Sequence, residues 1–123
     1  MTAPTKAEVK EFVEAAHGDL PKLQQMLTKN PDLLLMANGN ETALGAACQM
    51  RRTDIIAFLL EQGETLDISA ACVLGLTDQV AAFLDADPSL LSKGNKRSHN
   101  KHPLYFAENQ PDVLALLKAR GAK

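Results

Sequence analysis

An all-α fold, built as a single domain of about four stacked helix-turn-helix units, is predicted by three features of the 123-residue sequence. The composition is 46% hydrophobic but only 4% aromatic, with no Trp, and the apolar mass is carried by 19 Leu and 18 Ala. Small aliphatic side chains favour close helix packing over a sheet core. The chain also resembles itself at a fixed offset, the signature of a repeat architecture. Finally, its apolar residues recur at helical spacing, one buried stripe per segment.

The repeat is read directly from the residues. Phe12-Val13-Glu14-Ala15-Ala16-His17-Gly18, then Leu20-Pro21-Lys22-Leu23 and Met26-Leu27, closes with Asn30-Pro31-Asp32-Leu33-Leu34. Fifty-seven positions later Gly75, Val80, Phe83-Leu84 and Asp87-Pro88-Ser89-Leu90-Leu91 return the pattern. Between the two copies, Asp54-Ile55-Ile56-Ala57-Phe58-Leu59 up to Gly63 matches Asp112-Val113-Leu114-Ala115-Leu116-Leu117 up to Gly121, at an offset of 58. A two-unit block is therefore written twice, with repeats at about 8–38, 39–67, 68–98 and 99–123.

Each unit reads as two short helices. Pro21 and Pro111 stand where second helices begin, a position whose amide has no intrahelical partner. Thr53-Asp54 and Thr77-Asp78 occupy the same place, the hydroxyl as a cap and the acid in the first turn. Gly63 and Gly121 follow the last apolar residues, as left-handed cap residues do. Ala-rich segments, Ala43 to Met50 and Ser69 to Leu74, form first helices whose small side chains permit close approach. Glu8, Lys10, Glu11, Lys118, Arg120 and Lys123 supply the polar outer faces that terminal repeats need.

Thr42-Ala43-Leu44-Gly45-Ala46-Ala47 resembles the opening of the ankyrin repeat's first helix, Thr-Pro-Leu-His-x-Ala. Ile55-Ile56, Leu59-Leu60 and Gly63 stand at that family's aliphatic pairs and terminal Gly, and His102-Pro103-Leu104-Tyr105-Phe106-Ala107 is a second copy of the opening. The resemblance spans residues 8–123 and implies an ankyrin-type solenoid with hairpin fingers at Met36–Glu41 and Lys93–Lys101. Four residues between Gly63 and Ile68 leave no room for the finger between them. Gly45 and Tyr105 replace the motif's His, and Arg51-Arg52 its Gly-His turn.

The resemblance implies a non-enzymatic module that binds another protein through its fingers and the concave face of the first helices. Carried over by position, the contact residues are Asn38, Gly39, Glu41, Gln49, Met50, Val73, Leu74, His99, Lys101, Asn109 and Gln110. Met50, Val73 and Leu74, if exposed, form an apolar strip of the kind found at interfaces.

Charge offers a second reading. Residues 1–92 carry 6 basic and 13 acidic side chains, residues 93–123 carry 7 and 2, so Lys93, Lys96, Arg97 and Lys101 on one loop form a candidate anion-binding cluster for a polyanion or nucleic acid. No aromatic residue interleaves with them, and the rest of the chain is acidic, which disfavours nucleic acid.

No nucleophile elbow, phosphate loop, dinucleotide fingerprint or HExxH motif is present, so neither an enzyme nor a cofactor is expected. His99 and His102, three residues apart, lack a nearby carboxylate, so no metal site is expected. His17 reads as a surface residue of a helix-helix turn, and His102 as a hydrogen-bonding residue at a helix start. Cys48 and Cys72 fall at equivalent positions of adjacent repeats, too far apart for a disulfide, and read as buried small hydrophobes. With no apolar run near the roughly 20 residues of a membrane span and no secretory leader pattern, a cytoplasmic, monomeric protein is expected.

Overall fold

A computed structural model describes residues 3–123. Eight α-helices occupy the described residues: α1 Lys6–Ala15, α2 Leu20–Lys29, α3 Ala43–Gln49, α4 Thr53–Glu61, α5 Ile68–Leu74, α6 Thr77–Ala86, α7 Pro103–Phe106 and α8 Pro111–Ala119. A two-stranded hairpin, β1 Ala37–Asn38 and β2 Glu41–Thr42, pairs Ala37 with Thr42 and Asn38 with Glu41. Consecutive helices pack in pairs (α1 on α2, α3 on α4, α5 on α6, α7 on α8), and the first helices contact one another in succession from α1 to α7.

Side-chain size explains the stacking. Ala43, Ala46, Ala47, Ala70 and Ala71, on α3 and α5, are fully buried, while the bulky Phe12 and Phe106 sit on α1 and α7, the outermost first helices. Small residues on α3 and α5 pack against first helices on both sides, and the two phenylalanines fill the core at either end of the row. Leu23, Ile55, Ile56, Leu59, Val80, Val113 and Leu117 complete the core from the second helices.

Helix starts follow two rules. Thr5, Thr42 and Asp67 cap α1, α3 and α5 through side-chain oxygens that accept the amides of Glu8, Gly45 and Ala70, and Thr5 with Glu8 forms a full capping box. At α2 the cap is Asp19, with Pro21 in the first turn. The expected caps at Thr53, Thr77 and His102 do not form. Thr53 and Thr77 lie one residue inside their helices, behind Arg52 and Leu76, where helical backbone no longer aims a hydroxyl at the free amides of the first turn. His102 is in the cap position of α7 but, among the described residues, makes no side-chain cap bond.

Several helix ends share one device. At α4 the amides of Gly63 and Glu64 reach the carbonyls of Leu60 and Leu59, and at α8 those of Gly121 and Ala122 reach Lys118 and Leu117. Both glycines have positive φ, 111° and 101°, as this left-handed closure requires. The end of α3 closes in the same way, Arg51 and Arg52 donating to Cys48 and Ala47, but with the non-glycine Arg51 at φ 52°. The echo at 57 residues is equally visible: Pro31–Leu33 and Pro88–Ser92 are 3₁₀ turns led by Asn30 and Asp87, whose side chains accept the amides of Asp32 and Ser89.

Candidate functional site

The hairpin of residues 37–42 stands as the first finger, and the chain from Glu64 to Asp67 runs into α5 without one. The second finger, residues 93–101, does not project into solvent. It closes on itself through Asn95 N–H to the Lys101 carbonyl (2.9 Å) and Asn100 N–H to the Asn95 carbonyl (2.8 Å), then lies across the N-terminal ends of α3 and α5.

Two buried hydroxyls fasten it. Ser98 Oγ, with no solvent exposure, donates to the Gly45 carbonyl at 2.6 Å, and Asn95 Nδ2 donates to Ser69 Oγ at 2.8 Å. Ser69 and Ser98 are the two polar residues of the described core, and both serve this docking. The approach to α3 is so close that a Cβ on Gly45 would overlap the carbonyl oxygen of Arg97. The loop of residues 93–101 thus packs directly against the starts of α3 and α5.

A second tie joins the far ends of the first helices. Arg51 donates from Nε and NH2 to the Tyr105 carbonyl (3.1 and 2.7 Å), its guanidinium lies 4.1 Å from the Tyr105 ring centroid, and NH2 pairs with Glu108 at 2.7 Å. Tyr105 Oη donates to the Gln49 carbonyl at 2.6 Å. In a regular solenoid each repeat meets its neighbours alone; here α3 reaches past α5 to α7.

These ties redistribute the expected contact residues. Val73 is buried, 3% exposed, and belongs to the core, whereas Met50 is 51% exposed and Leu74 half-buried; no continuous apolar strip forms. Gln110 Nε2 donates to the Val73 carbonyl at 2.9 Å, so Gln110 and the Gln49 carbonyl are engaged within the chain. Asn109, Asn38 and Gly39 are exposed. Glu41 turns inward to His17 and His99, and Lys101 Nζ lies 5.0 Å from the Tyr105 ring centroid.

The basic cluster is dispersed as well. Lys93 lies 3.9 Å from Asp87. Lys96 and Arg97 are exposed and enter no ion pair among the described residues, but they share a cleft with Glu64 and Asp67. That cleft, about 640 Å³, runs between the first finger and the Glu64–Asp67 segment, with Leu35, Ala37, Asn40 and Leu66 on its walls. Leu35 on its wall is 65% exposed, and Met36, next to it in the chain, is exposed as well; neither is among the contact residues expected from the sequence.

Neighbouring charge and burial shift several of the ionisable groups. The Arg52 guanidinium, 2.8 Å from Asp54, holds the Asp54 carboxyl below its ordinary range. Burial pushes the Asp67 carboxyl up, against the opposing hydrogen bond from Ala70 N–H. Burial likewise pushes the Cys72 thiol up to about 12 and the Cys48 thiol well above its usual value; both are free and buried, as expected.

His17, Glu41 and His99 meet at the edge of the first finger, their donor atoms all within 4.8 Å of one another. The sequence offered His102 as the neighbour of His99. The fold instead supplies a carboxylate from β2 and a second imidazole from the turn after α1.

No family model, no curated protein and no solved structure matches this chain. None of the described helices is long and apolar enough to cross a membrane.

Proposed function

We propose that this chain is an ankyrin-like helical-repeat module that binds another protein without chemistry of its own. Its helix pairs, the matching glycine closures of α4 and α8, and its hairpin finger support the repeat reading. The observation that carries the binding reading is the 640 Å³ cleft with Leu35 exposed on its wall and Met36 exposed next to it in the chain. Apolar side chains beside a polar, preshaped cleft match the composition of a protein interface. The docked finger fixes one wall in advance, which reduces the entropy lost on association.

The cleft's mixed charge, Lys96 and Arg97 opposite Glu64 and Asp67, suits a protein surface better than a polyanion. The contact set centres on the lining residues Leu35, Gly39, Lys96 and Arg97, with Met36, Asn38, Met50 and Asn109 as further exposed positions.

The test is affinity capture from the native host by the wild-type chain beside Leu35→Glu/Met36→Glu, with folding of both checked by circular dichroism. Loss of a specific captured protein in the folded double variant supports the cleft; undiminished capture moves binding elsewhere. Salt-dependent retention on heparin that vanishes in Lys96→Ala/Arg97→Ala would instead favour a polyanion.

A further inference from the structure

We propose that His17, Glu41 and His99 form a binding site for one divalent transition-metal ion of the zinc class. His17 Nδ1 lies 3.2 Å from the Glu14 carbonyl oxygen, which can only accept, so Nδ1 carries a hydrogen. In the neutral ring Nε2 then bears a lone pair, and that lone pair faces Glu41 Oε2 at 3.1 Å. With the hydrogen on Nδ1, the space between Nε2 and Glu41 Oε2 is open to a cation. A ring whose Nδ1–H is held by a backbone carbonyl is also the usual arrangement of a metal-ligating histidine, because the outer bond fixes the tautomer and the ring plane.

His99 Nε2 approaches the same oxygen, Glu41 Oε2, at 2.7 Å. One carboxylate oxygen thus faces two imidazole nitrogens that come from positions 24 and 58 residues away. In a tetrahedral zinc site with ligands about 2.0–2.1 Å from the ion, donor atoms are about 3.3 Å apart. The His17 contact is already close to that spacing, and the His99 contact needs to open by about 0.6 Å to reach it. The His99 ring, on an exposed loop position, has room to do so, while Glu41 is largely covered.

The donor set selects the ion. Two imidazoles and one carboxylate suit zinc, cobalt or nickel, whereas calcium and magnesium require oxygen-rich shells. Three protein ligands leave the fourth position to water. His99 adopts φ 55° and Asn100 φ 57°, so the backbone enters the left-handed region where it presents the imidazole. Occupancy would pin the turn after α1, the first finger and the docked finger at one point.

The test uses the full chain without a polyhistidine tag, titrated with ZnCl2 and with CoCl2. The expected result is one ion per chain, visible d–d bands of low-coordinate cobalt, and a rise in the thermal midpoint of roughly 10 °C when free Zn2+ exceeds its dissociation constant a hundredfold. His99→Asn suits the left-handed backbone and His17→Gln is a turn substitution, so both should fold yet lose the cobalt bands and the thermal shift. His102→Gln should retain both, and Mg2+ should produce neither. Absence of one-to-one binding by the wild type, or binding of wild-type strength in either His17→Gln or His99→Asn, overturns the proposal.

Discussion

Ser98 Oγ donates to the carbonyl of Gly45 across a distance of 53 residues, and the backbone of the same loop occupies the space a Gly45 side chain would need. In an exposed helix, Gly→Ala stabilises by about 0.5–1 kcal/mol. Here the added methyl meets the Arg97 carbonyl, which is backbone and cannot rotate away. Gly45→Ala is expected to displace the finger and destabilise the fold by about 2 kcal/mol net, from overpacking and the lost Ser98 bond. Ser98→Ala alone should cost about 1 kcal/mol. Urea unfolding of both singles and the double variant checks this: once Gly45→Ala has moved the loop, the second substitution should add little. Full additivity would mean that the two residues act separately.

Arg51 holds a left-handed backbone at φ 52°, where α4 and α8 use glycine for the same closure. That conformation costs a non-glycine residue about 1–2 kcal/mol, offset by the bonds to Tyr105 and Glu108. Arg51→Ala retains the strain and loses the bonds, so a destabilisation of about 2–3 kcal/mol is expected. Arg51→Gly loses the same bonds but relieves the strain, and should be about 1 kcal/mol less damaging. If Gly proves no better than Ala in equilibrium unfolding, the bonds rather than the backbone dictate the residue. Tyr105→Phe, which removes the hydroxyl bonded to Gln49, should cost about 1 kcal/mol.

Local signals made the helices legible. Pro21, Pro111, Gly63 and Gly121 act within a turn of where they stand, and the stripes of Ile55, Ile56 and Leu59 follow helical spacing whatever surrounds them. The gap after Gly63 was legible too, since four residues are too few for a finger. The packing of the 93–101 loop against α3 and α5 was not. Gly45 reads as a departure from a helix motif until the Arg97 carbonyl is seen above it, and Arg51 as an odd turn residue until Tyr105 arrives from 54 positions away. His17 and His99 are unremarkable singly, because the carboxylate between them comes from a third segment. Pairings of that separation leave no periodic trace in the residues.

Asp67 caps α5 through its contact with Ala70 N–H at 2.8 Å while sitting half-buried beneath the docked finger. Burial raises its folded pKa above the unfolded value, so the folded state holds the proton more tightly. As pH rises through the window from the ordinary carboxylate value to the raised one, the unfolded chain ionises first and stability is lost. Asp67→Asn keeps a capping oxygen but has no proton to lose. The variant's stability relative to wild type should therefore climb across that window and level off above it, in urea titrations from pH 3 to pH 7. Asp67→Ala, lacking the cap, should be about 1 kcal/mol less stable than Asp67→Asn throughout. Parallel pH profiles for wild type and Asp67→Asn would show that burial does not tax this carboxylate.

Cys48 and Cys72 lie on α3 and α5 within the small-residue layer, the second with its thiol pushed up to about 12, chiefly by burial and further by the Asp67 charge. The thiolate is the reactive form. At pH 8 a thiol of that pKa is ionised in only about one molecule in ten thousand, and solvent access is lacking besides. Neither cysteine should react with a disulfide reagent in the native chain, and both should react in urea, at a rate limited by opening of the fold. Gly45→Ala, by loosening the docked finger over α3 and α5, should speed that labelling; rapid native labelling of the wild type would contradict the packing of the central helices.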